Sequence, residues 1–447
     1  MAALPELQSV TQLSRYVTRI LGANPSKFTL QGTNSYIVHH PSSPHLLLID
    51  TTGPSSASAL PPSALQTYLT SLRTAILSHP LQPAFITDII LTHWHKDHVG
   101  AVQSVVELLG EMQPGRKKVA VKVWKMPCSV TGTGEAWKGE EEVDLEIGHS
   151  LEELEGSNLC PTEEGKMVHT LQDGQRFRLG RPPMEANLGE DAIELEVVST
   201  PGHTSDSICL SLSLVPPGSP PTPASSASST ATAPDSSRLL ALFTADSVLG
   251  HGTAVFASLS SYLRSLSSLL DLLKGAADGG RGDVLLYPGH GEMVQKGLQK
   301  VQEYKSHREE RERQVVEGLQ KVAEGENVTA SELTDQIYAS SIPASLKPAA
   351  THGLLLHLAK LEEDGLVERI PRTEEVEQQT HGEVVIPKGW NDGWTWVGGS
   401  ESSVVAGPPE YFSTSLFSPD PAVKQREKTE GLIVLRVVFR LLLRSDM

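Results

Sequence analysis

The feature that most constrains this chain is the run HWHKDH at positions 93–98, which closely follows the apolar stretch Ile86–Leu91. A short apolar stretch of this kind predicts a buried strand, and the run begins just beyond its end. In an extended segment His93 and His95 project to the same side, so they can share one metal ion. The aspartate and the last histidine of the run follow where the chain turns into a helix, and they can reach a second ion. Four residues of ligand type within six positions indicate a metal centre.

Three further predicted strands lead into a residue that can bind metal. The pairs of strand and residue are Ile193–Val198 with His203, Leu239–Thr244 with Asp246, and Asp283–Tyr287 with His290. Glycine or proline beside the two histidines fixes the turns, and loops at strand ends are where folds of this kind carry their chemistry. Together with the HWHKDH run, these positions give seven candidate ligands.

The order of elements predicts an α/β layered core, because strands alternate with helices over most of the chain. Leucines and a tyrosine between positions 259 and 273 follow helical spacing, and a long charged helix is expected at about 293–323. Residues 327–369 predict two helices and a β wing, which indicates a small separate domain. Beyond Ile370 the sequence is irregular, and no role is assigned to the three tryptophans there.

Two segments interrupt the alternating order. Residues 140–155 contain eight acidic side chains in sixteen positions, which predicts a solvated loop. Residues 216–237 consist almost entirely of Pro, Ser, Ala and Thr, a composition typical of disorder, and they extend the loop between two predicted strands.

Charge and composition exclude several classes of protein. The formal net charge of −17 at pH 7 argues against a surface that binds nucleic acid throughout, although a local basic groove stays open. The three cysteines share no close spacing, which favours a reducing compartment. The N-terminus lacks the apolar run of a signal peptide, and Leu432–Leu443 is too short and too charged for a membrane span. An intracellular, cytoplasmic protein is expected, with a mitochondrial location left open and the oligomeric state undetermined.

The ordered set HxHxDH, PGH, strand-end Asp and PGHG resembles the metallo-β-lactamase superfamily. The resemblance implies an αββα sandwich with two zinc ions. It assigns His93, His95 and His203 to the first ion, Asp97, His98 and His290 to the second, and Asp246 to both. Since His and Asp ligands accept several metals, iron and manganese stay open.

Two longer segments, Asn24–Tyr36 and Leu249–Phe256, are similar to two groups within that superfamily. One is the β-lactamase-like endoribonuclease group, and the other is the fungal thioesterases that release polyketides from an acyl carrier protein. The similarity extends over about residues 15–370. It implies a catalytic domain at 15–323 and a winged-helix-like domain at 327–370, and it leaves an irregular tail at 371–447 without a counterpart. The chain departs from both groups at Asp50-Thr51-Thr52-Gly53, where they have Asp-Thr-Gly-Glu.

Asp50 has two interpretations, since a carboxylate at a strand end can orient a metal-binding histidine or can cap the following turn. His251 either borders the substrate cleft or is structural. The histidines of the polar stretches are expected to be ordinary surface residues; these are His39, His40, His45, His79, His149 and His169.

The predicted activity is that of a metal-dependent hydrolase. Two zinc ions lower the pKa of a bound water to about 7, which supplies hydroxide without a side-chain nucleophile, and Asp97 is placed to orient it. The first hypothesis is cleavage of a thioester, such as an acyl or polyketide chain on a carrier protein. The second is an endoribonuclease acting on single-stranded RNA, which would need a basic track near the metals. The lysines and arginines between positions 296 and 311 are interleaved with glutamates, a pattern more typical of a solvated helix face.

Overall fold

The structure is a computed structural model that describes most of the chain. The described residues are 4–54, 60–113, 119–128, 140–154, 158–180, 191–217, 237–279, 283–323, 326–338, 342, 347–371 and 392–397, with the main chain alone at 140–143. The chain divides into two compact units, Met1–Lys305 and Ser306–Met447. Most of the insertion at 216–237, most of the tail and all of Leu432–Leu443 lie outside the described residues.

The first unit is built on two β-sheets. A seven-stranded sheet has the order β1 to β7, and a five-stranded sheet has the order β12-β11-β10-β9-β8. The strands are β1 Val10–Gln12, β2 Val17–Leu21, β3 Asn34–His39, β4 His45–Ile49, β5 Phe85–Leu91, β6 Lys122–Lys125, β7 Val168–Thr170, β8 Arg176–Leu179, β9 Ala192–Ser199, β10 Ile208–Val215, β11 Arg238–Ala245 and β12 Leu285–Pro288. The helices that begin in this unit are α1 Pro62–Leu77, α2 Lys96–Val99, α3 Val102–Glu111, α4 Glu140–Glu152, α5 Leu259–Asp278 and α6 Gly297–Leu319.

Alternating side chains of β4 show how the layers are arranged. Leu46 and Leu48 pack with apolar residues of α1 and α3, whereas Leu47 and Ile49 pack with residues of the second sheet. This alternation is expected of a strand that is buried on both faces. The two sheets therefore enclose one core, and helices cover the outer face of the first sheet. The predicted α/β class is confirmed.

The second unit forms its own small core. Helices α7 Ala330–Tyr338 and α8 Lys347–Glu363 pack against the three-stranded sheet β13-β15-β14, with strands β13 Val328–Thr329, β14 Val367–Ile370 and β15 Gly393–Trp396. Trp394, on the central strand, is 2% exposed. The expectation that the chain is irregular throughout 371–447 is therefore wrong at this strand, which pairs with both β13 and β14. Among the described helices, none has the length and apolar character that crossing a membrane requires.

The acidic segment 140–155 is helical over Glu140–Glu152, so the prediction of a loop is wrong. Ile147 and Leu151 lie four residues apart, are buried, and join the core formed by α1 and α3, with Leu154 packed against it. Glutamate is a good helix former, and an apolar stripe at helical spacing provides the burial that fixes such a helix.

Three of the histidines expected at the surface are buried, which corrects that prediction. His39, His40 and His79 are 7%, 4% and 7% exposed, respectively. The rings of His39 and His79 meet edge to face with 5.1 Å between centroids. Burial lowers the pKa of His39 to about 4, and the neighbouring His79 and His40 add to this effect.

Acid is expected to destabilise the fold through His39. An unfolded chain binds a proton to histidine below about pH 6.5, whereas folded His39 does so only below about pH 4. The free energy of unfolding therefore falls as the pH drops, by about 2 kcal/mol between about pH 7 and about pH 5 from this residue. Urea denaturation at both pH values checks it. His39→Gln should remove that share of the loss, while His149→Gln, at an exposed position, should leave it unchanged. If all three proteins lost the same free energy of unfolding between the two pH values, the prediction would be contradicted.

Candidate metal centre

The seven candidate ligands come together because strand ends of both sheets meet at one edge. Strands β4 and β5 are parallel, as are β11 and β12, while β9 is separated from β11 by one antiparallel strand. The carboxyl ends of β9, β11 and β12 therefore lie on the same side of the second sheet. The main-chain N–H of Ile208 donates to the carbonyl of Thr92 at 3.0 Å and joins this edge to the end of β5.

The first group of donor atoms contains His93, His95, His203 and Asp246. Nδ1 of His95 lies 3.0 Å from Nε2 of His93 and 3.0 Å from Nε2 of His203. Oδ2 of Asp246 lies 3.7 Å from Nε2 of His203.

The second group contains Asp97, His98 and His290. Nε2 of His290 lies 3.3 Å from Nε2 of His98 and 3.3 Å from Oδ2 of Asp97. The other oxygen of Asp246, Oδ1, lies 3.3 Å from Nε2 of His290 and 3.5 Å from Nε2 of His98. Asp246 thus presents one oxygen to each group.

These distances fit two metal ions. Four ligand atoms at about 2.0–2.1 Å from a tetrahedral zinc lie about 3.3 Å from one another, and the observed separations of 3.0–3.7 Å bracket this value. Oδ1 of Asp246 is buried and makes no hydrogen bond of acceptable geometry, although two imidazole nitrogens face it. A buried carboxylate oxygen without a hydrogen bond needs a nearby cation to offset the cost of removing its charge from water.

Asp50 controls the orientation of histidines in both groups. Nδ1 of His98 donates to Oδ2 of Asp50 at 2.8 Å. Thr92 also donates to Asp50, from its hydroxyl and from its main-chain N–H, both at 2.8 Å. Because the Thr92 hydroxyl donates to Asp50, it accepts from Nδ1 of His93, 3.0 Å away. Both rings therefore use Nδ1 as a hydrogen-bond donor and turn Nε2 toward the other donor atoms, which is the orientation that metal binding requires.

His203 is oriented by the Leu249–Phe256 segment. Its Nδ1 donates to the carbonyl of Val255 at 2.7 Å, which again leaves Nε2 bare. The Tyr304 hydroxyl accepts from the N–H of Leu249 and donates to the carbonyl of Gly252, so it ties this segment to α6. The side chain of His251 is exposed, and a place for it at the substrate cleft stays a prediction.

Asn34 is a functional residue that sequence reasoning did not single out, although it lies within the Asn24–Tyr36 segment. Its side-chain amide donates to the carbonyls of Pro288 and Gly291, both at 2.9 Å, and its main-chain N–H donates to Gly289 at 2.8 Å. Three hydrogen bonds from one residue thus hold the loop that carries His290. Its place at the start of strand β3 was the available signal, but its partners lie more than 250 positions away.

The loop at positions 50–53, where the chain departs from the two groups that it resembles, also supports the centre. The N–H and hydroxyl of Thr51 donate to the carbonyl of His98, and the N–H of Ala101 donates to the carbonyl of Thr52. Asp50 and Ala245, which border the donor atoms, have positive φ angles of 56° and 43°. Non-glycine residues in this region cost about 1–3 kcal/mol and cluster at functional sites.

The electrostatics differ between the two groups. Burial and neighbouring histidines lower the pKa of His95 to about 3 and that of His93 well below its ordinary value. Burial also acts against a charge on His290, but the carboxylates of Asp246 and Asp97 outweigh it and raise the pKa to about 9. His93 and His95 therefore offer neutral imidazoles, while His290 lies against two carboxylates that favour a positive charge beside them.

Two family models match the chain. Residues 28–121 match the model described as "Metallo-beta-lactamase superfamily". The chain contains a metallo-β-lactamase superfamily domain. Residues 329–374 match the "Beta-lactamase associated winged helix domain", which overlaps α7, α8 and β14. The superfamily points to a metal-dependent hydrolase, and its fold implies binding of divalent metal.

Two curated relatives illustrate the range of similar proteins. The "Beta-lactamase-like protein 2 homolog" of Caenorhabditis elegans is 29% identical over 82% of this chain and 91% of its own length. The "Atrochrysone carboxyl ACP thioesterase" of a Cryptosporiopsis species is 26% identical over 82% of this chain and 85% of its own length. Among solved structures, a "Beta-lactamase domain protein" from Burkholderia ambifaria has a TM-score of 0.49 at 15% identity, covering 87% of this chain and 94% of its own.

Proposed function

We propose that this protein is a dinuclear zinc hydrolase that cleaves a thioester, with an acyl or polyketide chain on a carrier protein as its substrate class. The observation that carries the proposal is the pair of adjacent donor groups joined by the two oxygens of Asp246. A buried, histidine-rich pair of this kind supports hydrolysis, because two bound zinc ions would supply an activated water and polarise the carbonyl under attack.

Asp97 is the residue that we expect to manage the proton of the attacking water. Burial raises the pKa of its carboxyl, but His98 and His290 outweigh this effect and hold the pKa below its usual range. The carboxylate is therefore ionised at neutral pH. It can accept a hydrogen bond from the water, orient it for attack, take up its proton and pass that proton to the leaving sulfur as the C–S bond breaks.

Two observations favour a thioester over RNA. One similar protein is named as an acyl carrier protein thioesterase. Cations of α6 are also paired along the helix: Lys300 lies 3.7 Å from Glu303, and Arg313 contacts both Glu310 and Glu317. Such a mixed helix face offers little net attraction to a phosphate backbone.

The experiment is one zinc-loaded preparation assayed against acyl N-acetylcysteamine thioesters and against a single-stranded RNA, with and without a chelator. We expect chelator-sensitive release of thiol, abolished in His95→Ala and normal in the surface variant His149→Gln. Cleavage of RNA alone would reject the thioester proposal. Full activity after chelation would reject the metal-dependent mechanism.

Asp97→Asn is expected to lower kcat for thioester hydrolysis by about 10²–10⁴-fold, because an amide cannot take up the proton of the attacking water. The measurement is made at saturating zinc, with bound metal quantified in the same sample. Asp271→Asn, on an exposed face of α5, is the matched control and should retain full turnover. Near-normal turnover of Asp97→Asn at full metal content would contradict the assigned role.

A further inference from the structure

A second set of charged side chains is buried close to the candidate ligands. Lys125 is the last residue of β6, and Asp206 lies in the loop between β9 and β10; their side chains are 3% and 0% exposed. Nζ of Lys125 lies 2.6 Å from Oδ2 of Asp206 and 2.5 Å from Oδ1 of Asp144 on α4. It also donates to the carbonyl of Met126 at 3.0 Å.

The lysine gives this cluster its own cation. Cys128, Asp144 and Asp206 by themselves have the spacing of a metal-binding group. However, Nζ of Lys125 lies within 2.6 Å of both carboxylates and 3.6 Å from Sγ of Cys128. Burial disfavours a charge on Lys125, but Asp206 and Asp144 outweigh it and raise its pKa to about 12. The ammonium thus holds the position that a metal would take, and the cluster is an ion pair network.

The network connects β6, which pairs with the strand that leads into His93, with the loop that carries His203. In the register of β5 with β6, Lys125 pairs with Leu91, two residues before His93. Asp206 lies three residues after His203, in a loop closed by the hydrogen bond from Thr200 N–H to the Ser207 carbonyl at 2.9 Å. The Lys125–Asp206 contact therefore bridges the first sheet and the loop that carries His203.

We propose that the Lys125–Asp206 ion pair is a positioning device that sets the His203 ring against His93 and His95 and so determines the affinity of the first metal site. The inference rests on the proposed dinuclear centre. The second group takes Asp97 and His98 from α2 and His290 from the end of β12, so it receives no residue from the His203 loop.

Asp144 provides a matched control, because it contacts the same ammonium from α4 and not from the His203 loop. Asp206→Asn should weaken the first metal about 10–100-fold, which is the usual effect of removing a group that orients a ligand. Asp144→Asn should leave both metals unchanged. Lys125→Met alone would leave a buried carboxylate unpaired and would destabilise the protein. We therefore combine it with Asp206→Asn, which removes both charges and is expected to preserve the fold.

The experiment measures the dissociation of two equivalents of Co²⁺ from the full chain by competition with a chromophoric chelator. His203→Ala and His290→Ala mark the spectra of protein that lacks one or the other site. A second measurement follows the imidazole ¹⁵N signals of the metal-free protein, in which the His203 signal should shift in Asp206→Asn and in the double variant but not in Asp144→Asn.

Selective weakening of the first site, together with the shift of the His203 signal, is the expected result. Unchanged affinity and an unshifted signal in Asp206→Asn would overturn the proposal, and so would an equal loss in Asp144→Asn. Failure of the proposed function would give a different result from failure of this inference. In that case the wild-type protein would bind two metals yet hydrolyse no thioester.

Discussion

Asp246→Ala is expected to lower kcat/KM for thioester hydrolysis by about 10³-fold and to weaken both metal sites together. Asp246 is the residue whose two oxygens face the two donor groups, at 3.7 Å from His203 and 3.3 Å from His290. Metal centres contribute several kcal/mol of charge stabilisation in the transition state, and about 1.4 kcal/mol corresponds to a tenfold change in rate. Loss of about 4 kcal/mol therefore gives the expected effect.

The decisive readout for Asp246→Ala is the number of metals retained after dialysis against a weak chelator. His203→Ala and His290→Ala should each lose one equivalent, whereas Asp246→Ala should lose both. Asp271→Ala, an exposed aspartate on α5, controls for loss of a carboxylate elsewhere. Two tightly held metals and normal turnover in Asp246→Ala would show that this carboxylate does not join the two sites.

The parts of the centre that could be predicted are those encoded by local pattern. The apolar stretch before the HWHKDH run is β5, and the strands before His203 and Asp246 are β9 and β11. Each candidate ligand follows its strand within a few residues, so strand prediction alone places it at a sheet edge. That the edges of two sheets meet could be anticipated only from the resemblance to a known family.

The residues that hold the ligands could not be predicted, because their partners are distant in sequence. Asn34 binds a loop more than 250 positions away, and Lys125 contacts Asp206 some 80 positions later. Nothing in the local pattern distinguishes these residues from a turn asparagine or a surface lysine. Asp50 is an intermediate case, since its strand-end position suggested a role that the contacts with Thr92 and His98 make specific.

The two places where the fold differs from the sequence prediction have a common cause, which is that the composition conceals burial. The acidic residues of α4 concealed the apolar stripe of Ile147 and Leu151. Likewise, Trp394 lies in a stretch without periodicity, yet its side chain is buried in a strand that pairs on both sides. A short strand depends on its partners more than on its own propensity.

Gly289→Ala is expected to disable the centre without a change in any ligand. A Cβ at this position would lie 2.4 Å from Oδ1 of Asp246, 2.9 Å from Cε1 of His98 and 3.1 Å from the carbonyl carbon of Ala245. The backbone cannot retreat easily, because the N–H of Gly289 donates to Ala245 and its carbonyl accepts from Asn34, both at 2.8 Å. The added methyl group must therefore displace the Asp246 carboxylate or the His98 ring. A displacement of about 1 Å in a catalytic group costs about 10²-fold in rate.

Gly275→Ala is the matched substitution, because a Cβ there meets no atom within 4 Å and the residue is inside α5. Alanine at this helical position should stabilise the fold by about 0.5–1 kcal/mol and leave turnover unchanged. Gly289→Ala should lower kcat/KM about 10²-fold and raise the dissociation constant of the second metal, with thermal unfolding measured on the metal-free protein to separate folding from metal loss. If Gly289→Ala bound both metals normally and kept its activity, the tight approach of this loop to Asp246 and His98 would not be a feature of the working centre.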